Sequence, residues 1–171
     1  EAANDYSSRS VSLSSDGNII AIGAAQNNGS GTDDAGHVRV YQNVSGVWTQ
    51  IGADIDGEAN VDLSGVCVSL SSNGNIVAIG ANANDGNGNL SGHVRVYQNI
   101  SGVWTQIGAD IDGEASYDQS GESISLSSDG SIVAIGARYN GGNGTNSGHV
   151  RVYQNVSGVW TKIGADINGE A

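Results

Sequence analysis

The stretch SLSSDGNIIAIGA, Ser12–Ala24, and its two near-copies decide the fold. It returns as SLSSNGNIVAIGA over Ser69–Ala81 and as SLSSDGSIVAIGA over Ser125–Ala137. Val11 and Leu13 alternate with Ser10, Ser12 and Ser14, the period-two pattern of a strand. Asp16-Gly17 then marks a tight hairpin turn, as Asn73-Gly74 and Asp129-Gly130 do in the copies. The run Ile19–Gly23 that follows is continuously apolar, which suits a strand covered on both faces.

Working outward, the same repetition governs the rest of the chain. GHVRVYQN begins at Gly36, Gly92 and Gly148, 56 residues apart each time. IGADI begins at Ile51, Ile107 and Ile163 with the same spacing. Three tandem units therefore run over 1–57, 58–113 and 114–171, the last closing on the start of a further repeat. His37–Tyr41 alternates again, and Asn43–Gly46 turns the chain into Val47–Ile51. No helical periodicity occurs. Four short strands in each unit of about 56 residues predict an all-β fold of three tandem four-stranded antiparallel β-propeller blades.

Composition narrows the function. Eighteen acidic residues against six Lys and Arg give a net charge of −12, which argues against a nucleic-acid partner. No apolar run is long enough for a membrane span. A single cysteine, Cys67, excludes an internal disulfide; it stands where the other units have Ser10 and Ser123 and reads as a small packed residue. No Gly-x-Ser-x-Gly elbow, Walker loop or His-Glu-x-x-His motif is present.

Four residue types recur once per unit: His37, His93 and His149; Arg39, Arg95 and Arg151; Tyr41, Tyr97 and Tyr153; Trp48, Trp104 and Trp160. A unique active site would break this symmetry, so they read as packing and hydrogen-bonding residues. A loop carboxylate such as Asp5 or Asp62 is the expected partner of the third-strand arginine. The acidic segment Asp54, Asp56, Glu58 returns as Asp110, Asp112, Glu114 and as Asp166, Asn168, Glu170. Oxygen ligands at that spacing suit calcium; a solvated turn is the plain alternative, and no cofactor is certain. The loops at Asn27-Asn28-Gly29, Asn84-Asp85-Gly86 and Asn140-Gly141-Gly142 read as exposed tips able to meet a glycan or protein ligand. Glycosylation acceptor motifs begin at Asn28, Asn43, Asn89, Asn99, Asn143 and Asn155, all in predicted turns.

The units resemble the FG-GAP repeats of integrin-like propellers over the whole chain. Gly23-Ala24, Gly80-Ala81 and Gly136-Ala137 stand where that family has Gly-Ala-Pro, without the proline; Ser64-Gly65 and Ser120-Gly121 stand at its Phe-Gly. The family's calcium loop is shortened here to Ser15–Asn18.

Propellers close with four to eight blades, so three leave two apolar blade faces open. The expected partners are other copies of the chain, as homo-oligomer or filament, or further repeats of a longer chain. The expectation is a non-enzymatic, extracellular or cell-surface structural and adhesive scaffold assembling through those faces. The alternative is a glycan- or protein-binding propeller module that uses calcium.

Overall fold

The computed structural model describes residues 5–28 and 33–170. Among these, the chain folds into three antiparallel sheets with no helix, one sheet from each repeat. Sheet 1 holds β1 (Ser7–Leu13), β2 (Ile19–Ala24), β3 (His37–Val44), β4 (Val47–Gln50) and β5 (Ile55–Asp56). Sheet 2 holds β6 (Cys67–Leu70), β7 (Ile76–Ala81), β8 (His93–Ile100), β9 (Val103–Gln106) and β10 (Ile111–Asp112). Sheet 3 holds β11 (Ser123–Leu126), β12 (Ile132–Ala137), β13 (His149–Val156), β14 (Val159–Lys162) and β15 (Ile167–Asn168).

Each sheet thus carries five strands where the sequence pattern suggests four. The additional strand is the acidic segment. In sheet 1 the order is β1-β2-β3-β4, and β5 joins the half of β3 that β4 leaves bare, setting Asp56 opposite His37. A two-residue strand has no period to read, which hides it in the sequence.

The β1–β2 turn is held by side chains rather than by strand pairing alone. Ser14 Oγ donates to Asp16 Oδ1 at 2.6 Å and accepts from Ile19 N at 2.9 Å. Ser71 with Asn73 and Ser127 with Asp129 repeat the arrangement. Gly17, with φ of 71°, takes the left-handed position this turn needs.

The cores lie between sheets. Ala21, Val38, Val40 and Ile55 of sheet 1 pack on Val68, Leu70, Val77, Ile79 and Tyr97 of sheet 2. The opposite face of sheet 2 sets Ala78, Val94, Val96 and Ile111 against Val133 and Ile135 of sheet 3. This explains the unbroken apolar run of β7: Val77 and Ile79 face one neighbour, Ala78 the other. The first strands also meet. Ser10 and Ser12 hydroxyls accept from Val68 N and Leu70 N at 3.0 and 2.9 Å, and Ser69 Oγ accepts from Leu126 N at 3.0 Å. Cys67 takes the place of Ser10 at the second junction, and burial pushes its thiol up.

Candidate functional site

The chemistry-bearing residues gather at the two sheet junctions. Alternation along β3 puts His37, Arg39 and Tyr41 on one face, and β5 brings Asp54 beneath them. Arg39 grips Asp54 with two donors, Nε to Oδ1 at 2.9 Å and Nη2 to Oδ2 at 2.8 Å. Gln50 adds a third at 2.7 Å. The Arg39 hydrogen bonds hold the Asp54 carboxyl below the usual carboxylate range. Asp5 and Asp62, the expected partners, are engaged elsewhere. In sheet 3, Lys162 first and then Arg151 lower Asp166 to about 2.

Between sheets the pattern changes. Arg95 leaves its own Asp110 and reaches back to the end of sheet 1: Nη2 donates to the Asp56 carbonyl at 2.9 Å, and Nη1 sits 3.2 Å from Oε1 of Glu58, two residues past β5. Arg151 does both, pairing with Asp166 and with Glu114, which lies just past β10 of the preceding sheet. The acidic triplets are therefore divided. Asp54 and Asp56 stay with His37, whereas Glu58 joins His93 and Asp110, and Glu114 joins His149 and Asp166. Asp112, Asn168 and Glu170 are exposed and stand outside these groups.

His93 is buried, with Nδ1 3.7 Å from Asp110 Oδ2 and Nε2 without a hydrogen-bond partner. Burial first, then the Arg95 guanidinium, push its pKa down against the pull of Asp110, Glu58 and Asp62. A depressed imidazole binds fewer protons folded than unfolded, so its contribution to stability is complete above about pH 6.5 and is lost below it. The thermal midpoint is expected to fall between about pH 6.5 and 5, where carboxylates do not yet protonate, and to fall less in His93→Gln. An identical decline in both proteins would remove His93 from that role.

The tryptophans latch one sheet to the next. Trp104 Nε1 donates to Ile51 O and Trp160 Nε1 to Ile107 O, each at 2.8 Å. Trp48 has no preceding sheet and is 45% exposed. At the junction of sheets 1 and 2 the latch borders a groove of about 290 Å³, lined by Asp54, Asp56, Tyr97, Val103 and Trp104 among others. The recurring aromatics and acids were visible in sequence; their meeting across two units was not.

The supposed loop tips begin on anchors. Asn84 and Asn140 are buried, and Asn27 is half-buried. Their Nδ2 groups donate to Asp62, Asp118 and Asp5 at 3.0, 2.8 and 2.9 Å. The constant offset of 22 residues is the signal that would have revealed these pairs. Gly29 lies outside the described residues. Of the acceptor asparagines, Asn43, Asn99 and Asn155 turn their amide oxygens to Gly46, Gly102 and Gly158 N at 2.7, 2.9 and 3.0 Å. Asn155 Nδ2 is enclosed. Asn28, Asn89 and Asn143 are exposed.

No family model matches the chain, and no curated protein does. Solved structures do share its fold. A putative 6-phosphogluconolactonase from Bacteroides uniformis matches with a TM-score of 0.60 at 16% identity, over 95% of this chain and 41% of that one. Sqt1 from Saccharomyces cerevisiae matches with a TM-score of 0.58 at 14% identity, over 98% and 38%. The periplasmic gluconolactonase PpgL of Pseudomonas aeruginosa reaches 0.44 at 12% identity, over 95% and 57%, too loose a match to argue from. This chain spans about two fifths of the length of the first two.

These likenesses correct two expectations. The resemblance to FG-GAP repeats gives way, because the solved structures that share the fold are a putative 6-phosphogluconolactonase and Sqt1. The Gly-Ala pairs have a packing cause instead: a Cβ at Gly23 or Gly80 would meet a carbonyl of the next sheet at 2.0 Å. The non-enzymatic structural and adhesive scaffold gives way too, since a matching fold belongs to a protein named as an enzyme. The glycan- or protein-binding alternative fits no better.

Proposed function

We propose that the three sheets are blades of a β-propeller, in repeats 1–57, 58–113 and 114–171, and that the blade junction hydrolyses a small uncharged sugar-acid lactone. The meeting of the first strands supports the blade reading, as the strands nearest a common axis would meet. The groove between sheets 1 and 2 carries the activity. Its volume is near the lower end for ligand sites, roughly 300 Å³, and suits one sugar ring. Trp104 and Tyr97 offer aromatic faces to the ring's C–H surface. Asp54 and Asp56 accept from its hydroxyls.

The chemistry asks for a base and a water molecule. Asp54 is held ionised by Arg39 and serves as a fixed acceptor. Asp56 is exposed and reaches solvent, which suits it to take the proton from attacking water. Water adds to the lactone carbonyl, the ring C–O bond breaks, and the leaving oxygen collects the proton, giving an open hydroxy acid. A phosphorylated substrate is disfavoured, because the groove presents two carboxylates in a chain of net charge −12.

Calcium, the ion the acidic segments suggest, takes no part. It needs six to eight oxygen ligands, whereas guanidinium groups already sit on Asp54, Glu58, Glu114 and Asp166. The residues present do not fit that ion.

Acid release from a six-carbon aldonolactone, followed against its spontaneous hydrolysis, tests the proposal. Turnover is expected, and Asp56→Asn should reduce kcat/KM by at least about 100-fold with the thermal midpoint unchanged. A rate no greater than the spontaneous one would overturn it.

A further inference from the structure

The two outer faces of the molecule are the two halves of a contact it already makes twice. Sheet 1 turns outward the residues whose counterparts in sheet 2 are covered by sheet 1. Val11 and Leu13 are 56% exposed, while their counterparts Val68 and Leu70 are buried at 5% and 7%. Beside them Ile20, Ile22, Tyr41 and Trp48 line an apolar groove of about 290 Å³. Sheet 3 turns outward the complementary set. Val150 is 36% exposed, where Val38 and Val94 are fully buried under the following sheet, and Ile163 and Ile167 are exposed likewise.

We infer that a second copy of this chain docks its sheet 1 onto sheet 3, repeating the joints between sheets 1 and 2 and between sheets 2 and 3. Each internal contact has its counterpart ready. Trp48 Nε1 meets Ile163 O, as Trp104 meets Ile51 O and Trp160 meets Ile107 O. Ser123 and Ser125 hydroxyls take Val11 N and Leu13 N, as Ser10 and Ser12 take Val68 N and Leu70 N. The new junction also rebuilds the groove, with Asp166 and Asn168 from one copy and Tyr41 and Trp48 from the other. The contact is head to tail, so it joins unlike faces.

One residue works against it. Ser8 stands where Gly65 and Gly121 enter the internal joints, and it keeps their left-handed backbone with φ of 71° against 88° and 89°. A Cβ at Gly65 would meet His37 O at 2.7 Å and Gly23 Cα at 3.1 Å. The serine therefore holds the copies slightly apart and makes this joint weaker than the internal ones.

Sedimentation across a wide concentration range tests the inference. Mass is expected to rise with concentration. Trp48→Ala and Val150→Arg, one on each face, should each weaken association by at least about tenfold. Ser8→Gly should strengthen it by about tenfold. All three positions are exposed in the single chain, and circular dichroism verifies that each variant is folded. A monomer at every concentration would overturn the docking, as would Trp48→Ala and Val150→Arg proteins that associate like the parent.

Discussion

Gly80→Ala is expected to destabilise the protein by about 3 kcal/mol, the upper end for forcing volume into a packed core. The backbone conformation of Gly80 is ordinary; the obstacle is the neighbouring sheet. A Cβ there would lie 2.0 Å from the Gly121 carbonyl oxygen and 3.0 Å from Ile124 Cδ1. Side chains at this distance can rotate away, but a carbonyl in the chain cannot. Sheets 2 and 3 must part, which loosens the contacts of Ala78, Val94 and Val96 with Val133 and Ile135. For a chain of this size the thermal midpoint should drop by roughly 6–12 °C. Gly136→Ala is the matched control. Gly136 holds the same place in its own Ala-Ile-Gly-Ala motif, yet the one close contact of its Cβ would be the Ser123 hydroxyl, at 2.2 Å, and that hydroxyl can turn aside. Its effect is expected to stay below about 1 kcal/mol. Equal losses at the two positions in urea unfolding would show that strand propensity, not sheet-to-sheet clearance, governs both.

That contrast also marks what the sequence could disclose. The β1–β2 hairpins and the first half of each third strand were legible because alternation and Asp-Gly or Asn-Gly turns are local signals. The doubly covered strand was legible because β7 buries Val77 and Ile79 on one side and Ala78 on the other. Contacts between units were a different matter. Repetition announces that Trp48, Trp104 and Trp160 do the same thing, but not that Trp104 reaches Ile51 in the preceding unit. Arg95 and Arg151 stand at matching positions yet choose different carboxylates: Arg95 takes Glu58 and leaves Asp110, whereas Arg151 takes both Glu114 and Asp166. The likeness to FG-GAP repeats misled, since a glycine needed for close approach looks alike in any stack of sheets.

Asp62→Ala should cost about 3 kcal/mol, from a single carboxylate that the sequence marks only by its period. Asp62 is 3% exposed, and Oδ2 accepts from Ala59 N at 3.1 Å and from Asn84 Nδ2 at 3.0 Å. Removing it strands a backbone donor and a buried amide together, each worth about 1–3 kcal/mol when left unpaired. The loss would not stay local. Asn84 turns its own Oδ1 to Gly86 N at 2.7 Å, and its carbonyl receives Gly92 N at 2.9 Å, one residue before β8 begins. Asp62 thus ties the entry to sheet 2 to the loop that delivers His93. Asp62→Asn retains one acceptor oxygen and should lose only about 1 kcal/mol. In a double-mutant cycle with Asn84→Ala, the paired change should fall short of the sum by at least about 1 kcal/mol, because each single change already breaks the shared bond. Additive effects in chemical denaturation would mean that the two side chains act separately, and that the repeated offset between them carries no structural weight.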